Sequence, residues 1–152
     1  MSRKPPKPAS RKINVSPQIA VIAARFNQEI VDELLHRCVT RLHELGVNPQ
    51  KIAIHRVPGA FELPIAAKLA AETKKFAAII CLGAVIRGDT PHFDFVAGES
   101  VRGIQQVALE TRIPIIFGVL TTDTEKQAVQ RLDAGTRAAD AALEMAELAR
   151  EF

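Results

Sequence analysis

Four short apolar runs separated by stretches of helical periodicity constrain this chain more than any other feature. The runs lie at residues 18–24, 51–57, 77–83 and 114–120, and they are continuous rather than alternating. Such runs are expected of strands covered on both faces, since a half-exposed strand alternates. Between them, apolar residues recur at helical spacing. Residues 27–45 place Ile30, Val31, Leu34, Leu35, Cys38, Val39, Leu42 and Leu45 on one face. Residues 62–72 carry Pro64 in the first turn, where a missing N–H costs little. Residues 93–110 follow the third run. Residues 124–132 follow the fourth, with Thr122 and Glu125 read as their capping box. An Ala-, Leu- and Glu-rich helix at 134–150 comes last. The order β-α-β-α-β-α-β-α-α predicts a parallel sheet with right-handed crossovers. The expected fold is α/β, a flavodoxin-like three-layer sandwich with a four-stranded parallel sheet.

With 152 residues, one domain with a substantial core is expected. The net charge of +3 misleads about the surface. Arg3, Lys4, Lys7, Arg11 and Lys12 carry five positives with no acid among them. Setting them aside leaves 15 basic residues against 17 acidic ones, so the body is slightly negative. Residues 1–16 are therefore read as a basic, proline-containing flexible tail, and 17–152 as the single folded domain. The chain has no Trp or Tyr to interleave with a basic stripe, which argues against nucleic-acid binding. No apolar run approaches the roughly 18 residues of a membrane span. The basic start lacks the apolar stretch of a secretory signal, so the cytoplasm is the expected compartment. Cys38 and Cys81 belong to no C-x-x-C pair and are expected to be small buried hydrophobes rather than metal or redox groups.

Open α/β sheets bind ligands at the carboxyl ends of their strands, and the two sets of connections differ accordingly. The helix-to-strand turns at 46–49, 73–75 and 111–114 are plain turn chemistry. The strand-to-helix connections read Arg25-Phe26-Asn27, Pro58-Gly59-Ala60-Phe61-Glu62, Ala84 to His92, and Thr121-Thr122-Asp123. The third is the richest. Its Gly83 and Gly88 are spaced as in a Walker loop, but Asp89 stands where the lysine belongs, which disfavours nucleotide hydrolysis. A glycine turn entering a helix still aims N–H groups outward, and Thr90 adds a donor, so a phosphate is a reasonable guest there. His92 alone among the four histidines falls on this rim and suits acid–base work. His36 and His43 fall on the polar face of the first helix, and His55 falls in the second strand. Phe26 and Phe61 are either core residues or the walls of a slot for a flat heterocycle, with Glu62 accepting from hydroxyls.

Four segments in unbroken order resemble the lumazine synthase family. They are Arg25-Phe26-Asn27, Val57 to Pro64, Leu82 to Asp94, and Phe117 to Thr122, within a resemblance that spans residues 18–131. The family is a transferase of riboflavin biosynthesis that needs no metal or cofactor. It condenses 5-amino-6-(D-ribitylamino)uracil with 3,4-dihydroxy-2-butanone 4-phosphate, giving 6,7-dimethyl-8-ribityllumazine, phosphate and water. The resemblance implies that Phe26 stacks on the pyrimidine. It implies that Ala60, Phe61 and Glu62 line the ribityl side, and that Ala84, Val85 and Ile86 offer backbone groups to the pyrimidine edge. Asp89 and Thr90 match phosphate-binding positions, and His92 matches the proton-transfer residue. Phe117 and Arg131 match positions that a neighbouring subunit contributes to a homopentamer, which in the family also builds icosahedral shells.

Two departures stand out. Asp89 replaces a small residue beside the phosphate. After Arg131 the chain reads Leu132-Asp133-Ala134-Gly135-Thr136-Arg137-Ala138-Ala139-Asp140, without the family's second glycine-rich stretch. Either Arg131 or Arg137 is then the phosphate arginine. The competing functions are an archaeal-type riboflavin synthase-like enzyme, a non-catalytic flavin-binding or receiver module, and a shell-forming protein without activity. A receiver is disfavoured, because it needs acidic residues after the first strand and an aspartate ending the third. Those places read Ala23-Ala24-Arg25-Phe26 and Cys81-Leu82-Gly83.

Overall fold

A computed structural model describes residues 4–7 and 16–152. The stretch at 1–16 read as a flexible tail lies largely outside the described residues. The strands are β1 (Ile19–Ala24), β2 (Ile52–Val57), β3 (Ala78–Ile86) and β4 (Ile115–Thr122). They alternate with α1 (Gln28–Glu44), α2 (Leu63–Glu72), α3 (His92–Thr111), α4 (Glu125–Val129) and α5 (Ala134–Glu151). All pairings are parallel, in the order β2-β1-β3-β4. The expected three-layer α/β architecture is present.

The layers follow from the two-residue repeat of a strand. Ile19, Val21 and Ala23 of β1, with Ala78, Ile80 and Leu82 of β3, face α1 and α5. Ala20, Ile22, Ile79 and Cys81 face the opposite way, toward Leu63 and Ala67 of α2 and Ile104 and Val107 of α3. Both faces of β1 and of most of β3 are therefore buried, which is why their sequences do not alternate. Helix α1 turns Ile30, Val31, Leu34, Cys38 and Leu42 inward, and the turn that closes it places Gly46 just past its end. The positive φ of 95° at Gly46 lets its N–H reach the His43 carbonyl, while the Val47 N–H reaches Leu42. Cys38 and Cys81 lie as free thiols in the two separate cores.

Three sequence expectations need correction. The second and fourth runs were expected to be covered on both faces, but β2 and β4 are the edge strands, and Ile54, His55 and Arg56 of β2 and Phe117 and Thr121 of β4 are exposed. A short apolar run records hydrophobicity, not position in the sheet. The third and fourth strands were expected to end at 83 and 120, yet β3 continues to Ile86 and β4 to Thr122. The cause is mutual: Gly83, Ala84, Val85 and Ile86 pair with Val119, Leu120, Thr121 and Thr122. Finally, Thr124 rather than Thr122 caps α4. Its side chain accepts from the Gln127 N–H, and Gln127 rather than Glu125 completes the box by accepting from the Thr124 N–H. Thr122 is buried and donates its hydroxyl to the Thr124 carbonyl.

Candidate functional site

The strand order reverses between β1 and β3. At their carboxyl ends lies a cavity of about 670 Å³. Such a switch point is where an open sheet leaves room for a ligand.

The first wall is the turn after β1. The Arg25 N–H donates to the Val57 carbonyl at 2.8 Å and the Phe26 N–H to Pro58 at 3.1 Å, so this turn is stitched to the one after β2. Asn27 then adopts a left-handed conformation with φ 54°, which Asn tolerates better than most residues. Its side-chain amide donates to the Ala84 carbonyl at 2.9 Å, tying this turn to the end of β3. Phe26 is thereby left 74% exposed and lining the cavity.

The second wall is the turn after β2. Gly59 is extended there, and a Cβ at this position would stand 3.3 Å from Glu62 Oε2 and 3.7 Å from the Phe26 ring. The Glu62 N–H donates to the Gly59 carbonyl at 3.3 Å. In return Glu62 Oε2 accepts from the Gly59 N–H at 2.9 Å. One carboxylate oxygen therefore fixes the turn, while the group still lines the cavity beside Ala60 and Phe61. Phe61 is 59% exposed, so both aromatics left open between core and slot lie in the slot.

The floor and third wall come from β3 and α3. Ala84, Val85 and Ile86 end the strand inside the cavity, and Gly88, Thr90 and His92 continue its lining. The connection is shorter than expected, spanning 87–91, and α3 begins at His92 itself, one residue early. The His92 N–H points back to the Thr90 hydroxyl at 3.4 Å. Asp89 is exposed and does not line the cavity, whereas Thr90 does. Phe93, Phe95 and Val96 also line it, and sequence reasoning passed over all three. The available signal was the spacing of His92, Phe95 and Val96, which puts them on one face of the first turns of α3.

A second concavity of about 620 Å³ adjoins the ends of β3 and β4. Phe117 and Arg131 line this one, not the first. Phe117 is 37% exposed, and Arg131 donates to the Gln127 carbonyl at 2.8 Å. Arg137 lines neither concavity and is paired with Asp133. Asp89 apart, the residues expected at the site thus divide into two groups within one chain.

Arg87 stands between the groups. Its Nε donates to Asp123 Oδ1 at 2.8 Å, and a second guanidinium nitrogen lies 3.2 Å from Asp94 Oδ1. The guanidinium carbon sits 4.3 Å from the centroid of the Phe93 ring. Hydrogen bonding to Asp123, reinforced by the charge of Asp94, holds this guanidinium above its ordinary pKa.

Among the described residues no helix is long and apolar enough to cross a membrane. The sequence profile of the 6,7-dimethyl-8-ribityllumazine synthase family matches residues 16–150, nearly the whole chain. The chain belongs to that family, an enzyme family of riboflavin biosynthesis.

Proposed function

We propose that this member of the family carries out the family's condensation, joining 5-amino-6-(D-ribitylamino)uracil to 3,4-dihydroxy-2-butanone 4-phosphate. The observation that carries the reading is the cavity at the β1–β3 switch point. It brings three exposed phenyl rings, a carboxylate, the end of β3 and one histidine around a single space. A flat, polar-edged pyrimidine with a polyhydroxyl chain matches those walls. Phe26 stacks on the ring, in the offset geometry that aromatic quadrupoles favour. The end of β3 at Ala84, Val85 and Ile86 hydrogen-bonds the pyrimidine edge, and Glu62 with Ala60 and Phe61 receives the ribityl hydroxyls. The phosphate rests near Gly88 and Thr90, where the chain turns into α3. Asp89 is exposed outside the cavity lining, so its carboxylate need not face the dianion.

The mechanism follows from these roles. The pyrimidine amine attacks the ketone and loses water to form an imine. Removal of a carbon-bound proton then expels phosphate and leaves an enol, which becomes a ketone. The ribityl-bearing amine closes the second ring on that ketone, with loss of another water. Each step moves a proton, and His92 at the cavity rim carries protons between substrate atoms. Holding two reactants in one cavity supplies much of the acceleration, because a bimolecular encounter becomes an intramolecular one.

We further propose that a complete site needs two chains. Phe117 and Arg131 line the separate concavity, so they reach a substrate only in a neighbour's cavity. Arg131 rather than Arg137 is then the phosphate arginine, since Arg137 faces neither space and holds Asp133. The direct test is to incubate the purified protein with both substrates and follow the fluorescence of the lumazine. Its formation at a rate proportional to enzyme supports the reading, and its absence refutes it.

A further inference from the structure

Among the described residues Phe93 alone lines both concavities, and it follows His92 directly in the first turn of α3. On the side of the second concavity, Arg87 covers its ring at 4.3 Å. The same guanidinium reaches Asp94, the next residue of that turn, and Asp123, at the end of β4. The Arg87 backbone is fixed as well, its N–H donating to the Thr122 carbonyl at 2.9 Å. One side chain thus joins the strand end, the helix turn that carries His92 and the wall between the two spaces.

We propose that Arg87 is a positioning residue for the reaction, acting through Phe93 and Asp94 to fix the first turn of α3 and with it His92. This inference rests on the condensation assigned to the same cavity. Arg87 lines the second concavity and not this cavity, so toward the substrate beside its own chain's His92 it acts through its neighbours. A planar guanidinium can bond two carboxylates at its edge while its face covers a ring. A lysine ammonium has no plane and a different reach, so it keeps the charge but not the arrangement.

The test compares Arg87→Met and Arg87→Lys with the wild-type protein. The methionine variant is expected to lose about tenfold or more in kcat, while the KM for the pyrimidine changes less than twofold. That split follows because Phe26, Phe61 and Glu62 are untouched. Lysine should recover only part of the loss. Thermal midpoints should move little, since the ion pairs are exposed and such pairs contribute little to stability. In parallel, chains labelled with 4-fluorophenylalanine report on the Phe93 ring, its resonance assigned by its disappearance in Phe93→Leu. The resonance should shift and broaden in Arg87→Met. Wild-type kcat in the methionine variant, or a loss matched by a loss of folded protein, overturns the proposal. So does an unchanged Phe93 resonance. A wild-type protein that makes no lumazine refutes the assigned reaction instead, and the fluorine spectrum still decides whether Arg87 holds the wall.

Discussion

At the scale of single residues, Phe26 and His92 divide the work of the proposed site, and kinetics should separate them. His92→Ala is expected to lower kcat by roughly two or more powers of ten, the usual scale for a lost acid–base group. KM should change far less. Phe26→Ala should raise the KM of the pyrimidine by about five- to tenfold, since an aromatic contact contributes on the order of 1 kcal/mol. The KM of the sugar phosphate should stay put. Steady-state assays varying one substrate at a time check both, and near-normal turnover without His92 removes it from the mechanism. Why Phe26 was ambiguous in the sequence is instructive. A phenylalanine after an apolar strand is usually core, and only the backbone bond to Pro58 and the left-handed Asn27 turn its ring outward. The cysteines were easier to read, because helical and strand spacing alone put them inside. Burial pushes both thiols from 9.0 up to about 12. With the folded value above the unfolded one, the neutral thiols' contribution is complete below about pH 9. It fades as the pH climbs toward about 12. Stability to urea should therefore fall across that range, and less steeply in a Cys38→Ala, Cys81→Ala double variant. An equal fall in both proteins would show that other groups govern the alkaline limit.

At the scale of elements, existence and order were legible and the ends were not. Apolar runs and helical spacing are local signals, so each strand and helix announced itself. How far β3 and β4 extend is decided by each other, through pairs such as Val85 with Thr121 that no single segment reveals. The exposure of β2 has the same origin, because its place at the edge belongs to the sheet and not to its sequence. Another non-local requirement appears where α5 crosses α1. A Cβ on Gly135 would lie 2.3 Å from the Leu34 carbonyl oxygen and 3.0 Å from its carbon. These are backbone atoms within a helix, on its buried side, so neither can swing aside. Near this crossing, Arg41 of α1 donates to Asp140 of α5 at 2.9 Å, and Asp140 is only 7% exposed. Gly135→Ala should therefore force the helices apart at a cost of about 3 kcal/mol, the upper part of the usual range for overpacking. Equilibrium urea denaturation measures it. A variant within about 0.5 kcal/mol of the wild type would mean that the crossing is looser than the geometry describes.

At the scale of the whole molecule, the division of the site makes assembly a kinetic question. The cavity with His92 and the concavity with Phe117 and Arg131 are different surface patches of one chain. A contact that brings one patch of each chain against the other patch of the next is head-to-tail, and head-to-tail contacts close into rings when the rotation permits. Five chains can form such a ring, and a pentamer is the assembly we propose. The surface suits association. Ile65 and Leu69 of α2, Phe95 and Leu109 of α3, and Phe117 of β4 are all large, apolar and substantially exposed in the single chain. A ring that covers the second concavity also dries Arg131, and a cation shielded from water binds a phosphate more strongly than an exposed one. Activity per chain should then depend on concentration. Dilution through the dissociation range should abolish turnover in step with the loss of the large species seen by light scattering, although each chain stays folded by circular dichroism. Mixing two inactive variants sharpens the test. His92→Ala spoils one half of the site and Arg131→Ala the other, so a ring containing both kinds of chain regains some contacts with an intact pair. Partial recovery on mixing is expected. A fully active monomer, or a mixture no better than its parts, would sink the shared site together with the roles given to Phe117 and Arg131.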